Sequence, residues 1–490
     1  MNVLQVSAEI YPLLKTGGLA DVTGALPAAL TAAGCEVRAL LPGFPAVTAG
    51  VPASTLIAEL QAPWGEAVAL RFGTAPALQL GVYWIDAPGL YDRPGNPYHD
   101  ERQQPYADNQ RRFALLGWCA ALLGQGLDRR WHPRVVHSHD WHAGLAPAYL
   151  AYPQNPAARP AASVHTVHNL AYQGVFAADG FAELGLPPQA YSIQGLEYHG
   201  QLSFMKAGLY YADRITTVSP TYAREIQTAQ HGCGLDGLLA SRSNSLSGIL
   251  NGVDDAIWNP AHDSLIAHRY DVAHMVGKAA AKAALQQAFG LDQKHDALLF
   301  GVVSRLTEQK GMQLMLDHID ELVGRGGQLV VLGSGDAELE AALRLHAAAQ
   351  PRAVAARFGY DEALAHRIFA ASDVTLVPSR FEPCGLTQMY GLKYGALPLV
   401  HRVGGLADTV VDCALEELAD QRATGFVFDR FEPADYAAAL RRAFALYAWR
   451  SEWARVRERG MTQRFDWARA ASAYLDVYSQ AIAVAAAAAA

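Results

Sequence analysis

Several short stretches of this chain set cations, carboxylates or imidazoles beside glycine and proline, a mix suited to gripping small anions and hydroxyls. Lys15-Thr16-Gly17-Gly18-Leu19-Ala20-Asp21 lies between an apolar run at Val3–Val6 and a helical pattern at Ala25–Leu30. A glycine pair there lets backbone N–H groups approach an anion. The helix start adds partial positive charge and Lys15 a full one. The plainer alternative is a tight strand-to-helix turn. The spacing matches neither G-x-G-x-x-G nor the P-loop. In Ser304-Arg305-Leu306-Thr307-Glu308-Gln309-Lys310-Gly311, two cations share one strand-to-helix loop. They suit a diphosphate, each charge-assisted hydrogen bond being worth about 1.5–3 kcal/mol; the alternative is a solvated loop. Pro378-Ser379-Arg380-Phe381-Glu382-Pro383-Cys384-Gly385-Leu386-Thr387-Gln388 is a loop stiffened by proline, with Glu382 facing the same cleft. Thr387 opens a helix whose N–H groups suit phosphate. Cys384, near that helix start, either gains thiolate character or simply packs. Tyr360, between Gly359 and Asp361, offers a ring for a flat base or packs on a helix.

Imidazoles cluster in the first half. His168-Asn169 at a strand end offers hydrogen bonds without excess charge, which suits either hydroxyl recognition or a structural turn. Asp140 follows another strand, where it serves a ligand or caps the next helix. His137, His139 and His142 invite a metal reading. No carboxylate–histidine spacing of a known type accompanies them, so no metal is expected.

The elements that must carry these residues alternate. Strand patterns at 3–8, 36–41, 79–86, 134–138, 163–168 and 214–219, then at 302–304, 329–332, 374–377 and 399–400, are interleaved with helical patterns such as Asn109–Leu123. That predicts parallel sheets covered by helices, with ligands at the carboxyl ends of the strands. The stretch from about 43 to 110, rich in proline and tyrosine, resists assignment. A length of 490 residues exceeds one core, and polar Ser241–Ser245 marks a boundary. Lys and Arg number 39 against 47 Asp and Glu, a net charge of −8 without a basic run, which argues against nucleic acid. No long apolar run suggests a membrane span. The strand-like N-terminus and five cysteines without a C-x-x-C pair predict a reducing cytoplasm. The alanines of 485–490 extend or fray a last helix.

Together these stretches, with Tyr91-Asp92-Arg93-Pro94-Gly95-Asn96-Pro97-Tyr98, Phe204–Leu209, Leu250–Asp254 and Gly404–Val410, resemble the bacterial glycogen synthases. These are retaining glucosyltransferases of the GT-B type, a group that includes plant starch synthases. The resemblance runs from about residue 2 to 475. It implies an α/β fold of two Rossmann-like doubly wound domains facing across a deep cleft. Residues 1–246 would form the acceptor domain, with 464–490 packing back on it, and 247–463 the donor domain. It implies ADP-glucose as donor and glycogen or another α-1,4-glucan as acceptor, with no cofactor, and it leaves room for a homo-oligomer. Lys15, Gly17 and Gly18 would meet the donor; Arg305 and Lys310 would hold the leaving diphosphate. Glu382 and the backbone at Cys384, Gly385 and Leu386 would hold glucose hydroxyls, and Thr387 a phosphate. Tyr360 would lie by the adenine and His168 would bond the transferred sugar; Tyr98, Asp140 and Asn169 would face the acceptor. One departure from wider retaining GT-B enzymes is Tyr390, where many carry a second glutamate. Alternatives are a GT-B enzyme with another donor, a phosphorylase, or a binding protein with a dead site. The joint presence of Lys15, Arg305, Lys310 and Glu382 argues against the last.

Overall fold

Residues 1–153 and 160–488 are described in a computed structural model. The chain forms two units, Met1–Gly252 with Trp467–Ala490, and Val253–Asp466. These limits lie slightly beyond the sequence-based boundaries at 246/247 and 463/464. The reason is a short strand, Leu246–Gly248, which pairs with Arg214–Thr217 in the first unit's sheet and keeps 247 and 248 there.

In the first unit the strands in chain order are Asn2–Val6 (β1), Glu36–Pro42 (β2), Ser54–Gln61 (β3), Ala67–Ala75 (β4), Leu80–Asp86 (β5), Val135–His139 (β6) and Ala162–Val167 (β7). Val175–Ala177 (β8), Glu197–Tyr198 (β9) and Gln201–Ser203 (β10) make a small antiparallel sheet, and Arg214–Thr217 (β11) and Leu246–Gly248 (β12) complete the large one. The large sheet has the order β12-β11-β7-β6-β1-β2-β5-β4-β3. It is parallel from β12 to β5, while β4 and β3 are antiparallel at one edge. Central β6 and β7 are buried along their whole length, as parallel strands covered on both faces must be. Edge strand β3 mixes exposed and half-buried positions. The hairpin of β3 and β4 occupies part of the stretch that resisted assignment.

Chain order reverses between β1 and β6. β1 pairs with β2 on one side, Val3 opposite Val37, and with β6 on the other, Val3 opposite Val135. Such a switch point opens a crevice at the strand ends. The last helix, Trp467–Ala488, lays Tyr474, Val477 and Tyr478 into this unit's core.

The second unit holds Leu299–Val303 (β13), Gln328–Gly333 (β14), Val354–Phe358 (β15), Val374–Val377 (β16), Leu397–His401 (β17) and Phe426–Phe428 (β18). All six are parallel, in the order β15-β14-β13-β16-β17-β18, with the switch point between β13 and β16. The two points where the chain passes from one unit to the other are adjacent. In the first unit, a Cβ on Gly252 would stand 2.6 Å from the Trp467 ring, and in the second the Val253 N–H donates to the Phe465 carbonyl at 2.6 Å.

Candidate active site

Many of the residues singled out from the sequence lie at the two switch points, while His168 and Asn169 follow the neighbouring strand β7 and Tyr360 follows the edge strand β15. After β1 the chain reaches Glu9, a buried carboxylate. It accepts from the backbone and hydroxyl of Thr16, from the Gly17 N–H at 3.2 Å, and from the Tyr98 hydroxyl. It thereby anchors the loop that opens the helix Gly18–Ala32. Neither Gly17 nor Gly18 has a positive φ, and a Cβ on either would meet nothing within 4 Å among the described residues. The turn alone does not demand glycine; the bare backbone faces open space. The Gly17 N–H is engaged by Glu9 rather than left open, and Lys15 Nζ pairs with Asp21 at 2.8 Å. Glu9 escaped the sequence reading. Its one signal was an acid in the otherwise uncharged run Val6–Ile10.

At the ends of β6 and β7, Asp140 does not cap the helix that follows. Its φ is +56° and it makes no capping bond. Its carboxylate instead reaches across to β7 and accepts from the backbone N–H of His168 at 2.7 Å and of Asn169 at 3.4 Å. Burial pushes its pKa up to about 7, and those two N–H groups work against that rise. His168 is lowered to about 3 by burial, so near neutral pH it meets a ligand as an uncharged hydrogen-bonding group. Its Nε2 lies 3.0 Å from His139 Nδ1. Tyr98 stacks on His142, rings 4.7 Å apart. His137, His139 and His142 are buried, and no group of three or more His, Cys, Asp or Glu is placed to hold a metal among the described residues.

In the second unit, the loop after β13 carries Arg305 and Lys310, and the loop after β16 carries Glu382. Lys310 Nζ lies 2.5 Å from Glu382 Oε2, and Ser379 Oγ donates to the same oxygen at 2.9 Å. Glu382 is only 10% exposed, so its charge is held by a cation and a hydroxyl. Lys310 is therefore part of the scaffold as well as a loop cation. Arg305 is exposed and has no hydrogen bond or ion pair among the described residues. The loops are joined by backbone contacts. Arg380 N–H donates to Gln309 at 2.8 Å, and Gly311, at φ +68°, approaches Pro378 so closely that a Cβ would fall 1.9 Å from its carbonyl oxygen. A small recess between them is lined by Ser304, Lys310, Ser379 and Thr387.

The Glu382 loop is braced from behind. Gly405 N–H donates to the carbonyls of Glu382 at 3.2 Å and Pro383 at 3.1 Å, and Gln388 holds the carbonyls of Cys384 and Gly385. Gly385 takes φ +70°, which glycine tolerates best. Cys384 is buried, and Leu386 precedes the helix Thr387–Lys393, which Thr387 opens as expected. Tyr360 is 77% exposed, so its ring is not packed away, and its hydroxyl bonds Glu362. Tyr390 stacks on Trp258 at 3.8 Å, an aromatic contact where a carboxylate was missing.

Comparisons with known proteins follow the division into two units. The starch synthase catalytic domain model matches residues 2–241, and the glycosyl transferases group 1 model matches 286–458. A glycogen synthase of Variovorax paradoxus is 62% identical over 98% of this chain and 99% of its own. One of Francisella philomiragia is 56% identical, over 98% of this chain and 100% of its own. The catalytic domain of starch synthase IV from Arabidopsis thaliana, solved with ADP and acarbose, superposes with a TM-score of 0.87 at 30% identity, covering 98% of this chain and 99% of that one. A sucrose-phosphate synthase from Thermosynechococcus elongatus, at 19% identity and TM-score 0.59, shares the fold. With two parallel-sheet units of the GT-B kind and relatives matching along its whole length, the chain belongs to the glycogen synthase family of hexosyl-transferring enzymes.

Proposed function

We propose that this protein transfers glucose from ADP-glucose to the non-reducing end of an α-1,4-glucan, retaining the anomeric configuration and releasing ADP. The observation that carries the reading is the buried Glu382, held by Lys310 and Ser379 at the second unit's switch point, on loops that also bear Arg305. The starch synthase bound to ADP and acarbose supports the same ligand classes. In this reading Arg305 and Lys310 stabilise the charge growing on the departing diphosphate, and these cations, rather than a metal, carry that task. Glu382 and the backbone at Cys384, Gly385 and Leu386 hold glucose hydroxyls, Thr387 a phosphate, and Tyr360 the adenine. Lys15, Gly17 and Gly18 add donor contacts. His168 bonds the transferred sugar, while Tyr98, Asp140 and Asn169 address the acceptor.

The bond from C1 to the diphosphate oxygen breaks as the acceptor hydroxyl bonds to C1 on the same face. Its proton passes to the leaving phosphate oxygen. Trapping a glucosyl–carboxylate adduct would overturn this route. We place the enzyme in the cytoplasm; no helix among the described residues is long and apolar enough to cross a membrane. Incorporation of radiolabelled glucose into glycogen, compared between ADP-glucose and UDP-glucose with and without a chelator, tests the whole reading. It predicts chelator-insensitive incorporation that favours ADP-glucose; none from either donor would refute it.

A further inference from the structure

His139 sits fully buried at the end of β6, one strand away from His168. The two rings face each other, Nδ1 of His139 lying 3.0 Å from Nε2 of His168. A hydrogen bond between two uncharged imidazoles needs a proton on one of the facing nitrogens and a lone pair on the other. The far nitrogen of each ring then has no freedom left. His139 Nε2 is buried with no hydrogen-bond partner among the described residues. If His168 were the donor, His139 would carry its own proton on that atom, leaving a buried N–H with nothing to accept it. If His139 is the donor, the atom keeps only a lone pair. Orphaned buried N–H groups are the rarer of the two.

Resting on the sugar contact proposed above for His168, we propose that His139 is a positioning residue. It donates its Nδ1 proton to His168 Nε2, so that His168 carries its proton on Nδ1 and meets the sugar as a donor to an oxygen. The surroundings hold both rings uncharged: burial pushes the His139 pKa well below its ordinary value and lowers that of His168. The Asp140 carboxylate is engaged with backbone N–H groups, and the His137 ring, 4.1 Å from that of His139, is bonded to Tyr478 and Thr166.

Nitrogen-15 spectra of histidine-labelled intact protein near neutral pH read the tautomer directly, with His168→Gln identifying the resonances. The expected result is a protonated Nδ1 and a bare Nε2 on His168; a proton on Nε2 overturns the proposal. His139→Asn keeps a donor at the Nδ1 position and should retain both the His168 signature and kcat within about threefold. His139→Leu removes the donor and should lower kcat by about ten- to a hundredfold, with donor KM little changed and the His168 signature lost. A leucine variant with the same tautomer and the same kcat also overturns it. Should that variant fail to fold, the wild-type spectrum still decides. Wild-type turnover by His168→Gln would remove the sugar contact and leave the tautomer to be judged by its spectrum alone.

Discussion

At the residue scale, the two loop cations differ in what else they hold. Arg305→Ala removes an exposed side chain with no protein partner among the described residues. We expect turnover to drop by about 10²–10³, with a melting temperature within about 2 °C of wild type. Lys310→Ala should cut turnover similarly but also strip a buried carboxylate of its cation. The expected cost is about 1–3 kcal/mol, partly recovered in a Lys310→Ala, Glu382→Gln double variant. Equal melting temperatures for the two single variants would show that the pair contributes nothing to stability. Tyr360→Ala, which loses an exposed ring, should raise the donor KM more than it lowers kcat; steady-state kinetics showing a pure kcat defect would contradict base stacking. Arg305, Lys310 and Glu382 stand out in the sequence because charge beside glycine or proline is a local signal, and the Lys310–Glu382 pair joins two such loops. Glu9 does not stand out, because its partner Tyr98 lies 89 positions away, and of the two readings of Asp140 the helix cap fails because the N–H groups it serves lie just beyond the next strand.

At the element scale, the loops are fixed by backbone that tolerates no side chain. Gly311→Ala forces a Cβ into the Pro378 carbonyl at an already left-handed φ. It should destabilise the second unit by about 2 kcal/mol or more, read as a lowered denaturant midpoint. The ends of β6 and β7 make stability depend on pH with opposing signs. His142, His165 and His168, each lowered to about 3 by burial, stay unprotonated in the folded state. The unfolded chain binds protons on them below about pH 6.5, so this contribution is lost as pH falls. Asp140, raised to about 7, keeps its proton when folded. Its contribution is greatest at low pH and is lost as pH rises through 7. The three imidazoles outweigh the one carboxyl. Stability should therefore decline from about pH 6.5 to pH 4, and more steeply in Asp140→Asn. Denaturation midpoints at several pH values check this; a shallower slope in the variant would contradict it. The parallel strands were legible as short apolar runs. The β3–β4 hairpin was not, since its edge positions mix exposed with buried residues and blur the period.

At the scale of the molecule, the last helix is a structural member of the first unit. Tyr474 and Tyr478 are wholly buried there, and Tyr478 bonds His137. Removing the chain from Trp467 onward should leave the sheet face beside β7 uncovered and abolish cooperative unfolding of Met1–Gly252, while Val253–Asp466 retains its own core. Calorimetry of the shortened chain checks this, and two intact transitions would contradict it. The two-unit plan and the helix were legible from alternation and family resemblance, but the boundary at Gly252 depended on a three-residue strand too short to announce itself. The first unit is thus sewn from the start of the chain and its final helix, with the second unit threaded between. On the ribosome it cannot close when its own leading 252 residues emerge. It must wait without the helix that packs beside β7 while the inserted unit is made, about 10–40 s at roughly 5–20 residues per second. The inserted unit, being one continuous segment, finishes first. Birth order within this enzyme therefore runs opposite to its sequence.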